Sequence, residues 1–164
     1  MMKPIIAVIG SGGDLNKSAK DAAFKIGGDI AVNDCVLICG GKGGVMGAAC
    51  AGAKSRGGFT IGILPSTDRT GANNYLDIVL TTGLSHARNA VIVSSSDAVI
   101  SITGGAGTMS EIGLALSYGK PTILVKGTGG ISDSDFGELD FSNLYRAEVE
   151  NAVSLCLDII SGMG

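Results

Sequence analysis

Six short apolar runs punctuate the chain at near-regular intervals: PIIAVIG (4–10), CVLICG (35–40), FTIGILP (59–65), LDIVLTT (76–82), DAVISIT (97–103) and KPTILVK (120–126). Runs of this length without strict apolar–polar alternation suit strands covered on both faces. Between them lie segments of helical spacing. KSAKDAAFKIGGDIA turns Ala19, Ala22, Ala23 and Ile26 to one side, and VMGAACAGAKSRG is a helix of small residues able to pack closely. SHARNAVIVSSS reads as a helix in spite of its β-branched residues, and another helix runs from Thr108 to Tyr118. NLYRAEVENAVSLCLDIISG reads as one closing amphipathic helix, and GTGGISDSDFGELD (127–140) has the composition of a glycine-rich acidic lid. Strand–helix–strand repeated with apolar strands predicts a single α/β domain over 1–164, a doubly wound parallel sheet with helices on both faces.

In such sheets ligands sit beyond the carboxyl ends of the strands. Three glycine turns follow predicted strands, GSGGD (10–14), GGKGG (40–44) and GGAGT (104–108), so all three are expected along one rim. A dinucleotide fingerprint fits poorly. Gly10 and Gly12 are in place, but Leu15 stands where the third glycine belongs, and no acidic residue follows the second strand to hold a ribose hydroxyl. No G-x-x-x-x-G-K-[ST] occurs. A phosphate cradle fits better: successive backbone N–H groups at a glycine turn converge on one concavity, and the following helix adds positive potential. The candidate cradle is Gly104, Gly105, Gly107 and Thr108, with Gly41 and Gly44 on the second turn and Ser11 and Gly12 on the first. A plainer reading of GGAGTMSE is a tight turn and a capping box, Thr108 as cap and Glu111 bonding back to it. The two readings are compatible, and Glu111 is expected both to cap and to serve as the functional acid.

Charged residues make up only 16% of the 164, against roughly 25% in ordinary domains. A surface this poor in charge implies cover by another copy, most simply a homodimer, with the small-residue helix VMGAACAGA as a candidate contact. The net charge of −3 without a Lys/Arg cluster gives nucleic-acid binding no electrostatic support. No run approaches the ~18 apolar residues of a membrane span, and MMKPIIAVIGSGG is too short in its apolar stretch for a signal peptide, so the chain is read as cytoplasmic. Cys35, Cys39, Cys50 and Cys156 form no C-x-x-C pair and read as buried small hydrophobes; no metal or cofactor is expected.

GGKGGVMGAACAGA, HARN and GGAGTMSE, in this order and spacing, resemble the LOG family of cytokinin-activating phosphoribohydrolases, some of whose members carry a lysine decarboxylase label. The resemblance implies a Rossmann-like dimer. It implies that Gly104 to Thr108 hold the 5′-phosphate of a nucleotide, that Glu111 works at the ribose, and that Arg88 is a second catalytic residue. The sequence departs from the family pattern at two positions: Thr103 replaces a proline and Asn89 a lysine. The ARN segment looks more like the related molybdenum cofactor carrier proteins, which bind a phosphorylated pterin and catalyse nothing. Two expectations therefore stand. The first is hydrolysis of a nucleoside 5′-monophosphate to base and ribose 5-phosphate, through an oxocarbenium-like state that Glu111 stabilises. The alternative is a non-catalytic binding protein for a small phosphorylated ligand. His86, the lone histidine, and Lys42 are secondary candidates; Asp97 opens its strand at the opposite edge of the sheet, and no pyridinium partner for a pyridoxal-bearing Lys42 is evident.

Overall fold

The computed structural model describes residues 2–137 and 141–162. The elements are β1 (Ile5–Gly10), α1 (Lys17–Val32), β2 (Val36–Cys39), α2 (Gly44–Ser55), β3 (Phe59–Leu64), β4 (Ile78–Thr81), α3 (Arg88–Ser94), β5 (Ala98–Ile102), α4 (Ala106–Ser117), β6 (Thr122–Val125), β7 (Leu144–Ala147) and α5 (Ala152–Gly162). The sheet order is β4-β3-β2-β1-β5-β6-β7. Every neighbouring pair is parallel, with Ile6 opposite Leu37 on one side of β1 and opposite Ala98 on the other. The chain winds outward from β1 to β4, then crosses back to β5 and winds the other way. The strand order therefore reverses between β1 and β5, which is where such sheets leave a crevice.

Alternation along the central strands builds two cores. Ile6 and Val8 of β1 join Leu37, Ile100 and Ile123 against α1, α2 and α5, while Ala7 and Ile9 join Ile38, Val99 and Leu124 against α3 and α4. Continuous apolar runs are the consequence of this two-sided burial. Ala19, Ala22, Ala23 and Ile26 are all buried on α1, as their spacing predicts. Ile92 and Val93 bury the interior face of α3, so packing overrides the weak helix propensity of its β-branched residues. All four cysteines are free and buried, and Asp97 accepts from the Ile5 N–H at the end of the sheet away from the rim.

Two sequence expectations are corrected here, and one is given a structural basis within the chain. The closing segment is not one helix: Leu144–Ala147 pairs with β6 as an edge strand, and α5 starts only at Ala152. The small residues of α2 allow close packing within the chain, against α1. A Cβ on Gly52 would lie 1.8 Å from the Phe24 carbonyl oxygen, and one on Gly27 1.9 Å from that of Ala49; the two helices thus cross nearly backbone to backbone. Finally, α4 begins at Ala106 with Gly105 as its N-cap and no side-chain cap bond. Thr108 is the third helical residue and Glu111 stands a turn further in, so no capping box forms. The cause is the backbone before it. Thr103 and Gly104 both have positive φ, +50° and +103°, and turn the chain sharply enough for the helix to start three residues earlier than the Thr–Glu spacing suggests.

The segment after β6 forms a single 3-10 turn, Gly130–Asp133, packed beside that sharp bend. Thr103 N–H donates to Thr128 Oγ1 at 3.0 Å, Ser132 Oγ donates to the Thr103 carbonyl at 3.0 Å, and Ile131 N–H donates to that of Gly104 at 2.9 Å. The predicted lid is therefore a brace for the β5–α4 turn through its described part; its residues 138–140 lie outside the described residues. Among the described residues no helix is long and apolar enough to cross a membrane.

Candidate functional site

The three glycine turns meet at the crevice between β1 and β5. A cleft of about 340 Å³ opens there, walled by Ser11 and Gly12 after β1, by Gly40 and Lys42 after β2, and by Gly105, Gly107 and Thr108 at the start of α4. His86, Arg88 and Asn89 enter from the start of α3, and Glu111 from the second turn of α4. Gly41, Gly44 and Gly104 lie behind this wall. A Cβ on Gly44 would meet the Ser11 carbonyl oxygen at 2.1 Å, and one on Gly104 the Thr108 hydroxyl at 2.3 Å. These three let the turns close on one another and leave the lining to their neighbours.

Backbone donors distinguish the turns. At the start of α2 the Val45 N–H is taken, donating to the Ser11 carbonyl at 2.9 Å, and it separates the N–H groups of Gly44 and Met46, which find no acceptor among the described residues. At the start of α4 the first intrahelical acceptor is used by Met109, which donates to Gly105 at 2.9 Å, and the N–H groups of Ala106, Gly107 and Thr108 find no acceptor among the described residues. Three free donors at a helix N-terminus, with no side chain on Gly105 or Gly107 to cover them, are groups to which an anion could bind. The buried Thr108 side chain borders the same space.

Glu111 is 8% exposed, and its carboxyl has neither a hydrogen bond nor an ion pair with any described residue. Burial pushes its pKa from 4.5 up to about 7, and the charge of Arg88 only partly opposes this. Arg88 is held elsewhere. Its Nη1 donates to the carbonyls of Gly40, at 2.6 Å, and of Ile63, and its Nε donates to Asn89 Oδ1 at 3.1 Å. Burial lowers the Arg88 pKa, with Glu111 pulling the other way. The guanidinium thus ties the ends of β2 and β3 to α3 and reaches the cleft by one edge. Cys39 Sγ, below the same turn, is 3.6 Å from Cys50 Sγ and accepts from the Gly41 N–H.

Ser11, Gly12, Arg88, Gly105, Gly107, Thr108 and Glu111, all expected from the sequence, line one cleft together with His86 and Lys42. Gly40 was not expected in its wall, and Asn89 stood out in the sequence only as a departure from a pattern. The signal was present: an amide directly after an arginine at a helix start, in a segment otherwise apolar. The residues can hold an anion at α4 and present a carboxyl about as ready to give a proton as to take one; among the described residues no cluster of His, Cys, Asp or Glu suits a metal ion.

Several known proteins are similar to this chain in sequence or fold. The molybdenum cofactor binding protein of Rippkaea orientalis is 40% identical, with a TM-score of 0.89 over 98% of this chain and 99% of its own. The molybdenum cofactor carrier protein of Chlamydomonas reinhardtii is 35% identical, with a TM-score of 0.87 over the same shares. The cytokinin riboside 5′-monophosphate phosphoribohydrolase of Mycobacterium tuberculosis is 30% identical over 114 residues, 64% of this chain and 61% of that enzyme. Residues 3–154, which include every strand and every residue of the cleft, match one family along their whole length, and the chain belongs to the SLOG cluster4 family.

Proposed function

We propose that the cleft binds a phosphorylated small molecule with its phosphate on the first turn of α4, and that this chain is a binding protein for a phosphorylated pterin of the molybdenum-cofactor kind. The observation that carries the ligand class is the set of unpaired N–H groups of Ala106, Gly107 and Thr108 facing a side-chain-free wall. The identity of the cargo is supported by likeness, at 40% identity over nearly all of both chains, to a protein that binds that cofactor. Arg88 and Lys42 add positive charge beside the phosphate, where a guanidinium edge suits an anion. Binding needs no more than this; it does not use the carboxyl of Glu111.

A second reading uses that carboxyl. Glu111 stands unpaired with a pKa of about 7, raised by burial, and its ionised form would stabilise an oxocarbenium at a ribose whose 5′-phosphate sits on α4. On this reading the chain cleaves the N-glycosidic bond of a nucleoside 5′-monophosphate, water adding to the anomeric carbon as the base departs. Two measurements on the purified protein separate the readings. Molybdenum cofactor freed from a molybdoenzyme is passed with the protein through gel filtration, and molybdenum per chain is counted. AMP is incubated with the protein, and free adenine is measured. Retention near one molybdenum per chain without adenine release is the expected result. Adenine release dependent on Glu111 installs the second reading, and a protein that neither retains molybdenum nor releases adenine overturns both.

A further inference from the structure

Asn89 is 8% exposed, and its carboxamide is engaged at both ends. Oδ1 accepts from Arg88 Nε at 3.1 Å, and Nδ2 donates to Ser110 Oγ at 3.1 Å. Ser110 Oγ in turn donates to the Gly107 carbonyl at 2.7 Å. A guanidinium has five N–H donors in one plane. With Nε on Asn89 and Nη1 on two main-chain carbonyls, the plane is fixed, and only the Nη2 donors lack an acceptor among the described residues. Asn89 therefore bonds, through one side chain, both the arginine of the cleft and Ser110, whose hydroxyl is tied to the first turn of the helix whose N–H groups face the cleft.

We propose that Asn89 is a positioning residue: it aims the free Nη2 edge of Arg88 into the cleft and locks that edge in register with the N–H groups of α4, so that one phosphate is met by both at once. The inference rests on the reading that the cleft takes a phosphate. It explains what an asparagine does here that a lysine does not. An ammonium has no acceptor for the Arg88 Nε–H, so lysine would free the guanidinium to turn and would set a second cation beside it. Asparagine holds the arginine to a single orientation and adds no charge. Ser110 lies outside the cleft lining and reaches the ligand only through this chain of bonds.

Two readouts test this. Nitrogen-15 NMR follows the Arg88 Nε–Hε, and calorimetry follows AMP binding. The parent is expected to show a resolved, slowly exchanging Nε–Hε signal. Asn89→Ala is expected to lose that signal and to bind AMP roughly tenfold more weakly, the scale of one hydrogen bond to a charged group. Ser110→Ala is expected to keep the signal yet weaken AMP binding severalfold, and Ser110→Thr to restore it. Should Asn89→Ala not fold, Asn89→Ser and the Ser110 pair carry the test. Unchanged Nε–Hε exchange and AMP affinity within twofold of the parent in the Asn89 variant would overturn the proposal. A parent that binds neither AMP nor inorganic phosphate overturns the ligand reading instead, while the Nε–Hε signal still decides whether Asn89 holds Arg88.

Discussion

A carboxyl whose pKa rises on folding destabilises the fold as it ionises. Glu111 moves from 4.5 to about 7, so between those values the folded chain holds a proton that the unfolded chain has released. Stability then falls as pH rises from about 4.5 to 7 and levels off above, the reverse of a salt-bridged carboxylate. A tenfold change in proton affinity is worth ~1.4 kcal/mol, so the full effect is on the order of 3 kcal/mol. Glu111→Gln is neutral at every pH and loses no cap, since none exists. Urea denaturation should show it close to the parent at pH 4.5 and about 2–3 kcal/mol more stable at pH 8; a glutamine variant weaker than the parent at pH 8 would contradict the buried, unpaired carboxyl. The same variant is expected to abolish any adenine release. Gly107 gives the complementary test. A Cβ there meets nothing within 4 Å, so Gly107→Val is expected to fold with a melting temperature within a few degrees of the parent. Its branches would cover the N–H groups of α4, and calorimetry with inorganic phosphate or AMP should show affinity at least tenfold lower.

The β5–α4 turn is where local pattern and tertiary structure part company. Thr-x-x-Glu before an apolar run is a sound helix-start signal, and it misplaced the start because the decisive information lies 25 residues away. Thr128, Ile131 and Ser132 hold Thr103 and Gly104 in their positive-φ conformation, and nothing within GGAGT announces that brace. It also changes the meaning of Thr103. A proline there is locked near φ −65° and has no N–H, so it can neither adopt the +50° observed nor donate to Thr128. The backbone observed at Thr103 is therefore one that the proline of the family pattern cannot adopt. Thr103→Pro is expected to cost more than about 3 kcal/mol in urea denaturation, while Thr103→Gly, which relaxes the unfavourable φ of a β-branched residue, should stay within about 1 kcal/mol of the parent. β7 was illegible for a related reason: four residues at the sheet edge become a strand only because β6 is there to pair with them.

For the molecule as a whole, two-sided burial made the parallel sheet readable, since β1, β2 and β5 are continuous apolar runs and each glycine turn marks a strand end. The convergence of those turns on one cleft followed from topology alone; which of their N–H groups are taken did not, because that depends on what each meets in the folded chain. The low charge leaves large apolar side chains on the outside, including Ile78 and Leu80 of the edge strand β4, 41% and 50% exposed. Light scattering at tens of micromolar is expected to give a homodimer or larger assembly, and a monomer would refute the reading of composition as cover. One further consequence follows from the unpaired carboxyl in the cleft wall. An arriving phosphate brings negative charge beside a group that is about half ionised at neutral pH, and the two repel unless the carboxyl takes up a proton. Occupancy and protonation are then reciprocally linked: the protein should draw a fraction of a proton from the buffer for each AMP bound near pH 7.5. Binding heats measured in buffers of different ionisation enthalpy would count that proton, and in Glu111→Gln the count should fall, leaving a cleft that accepts the anion without drawing on its surroundings.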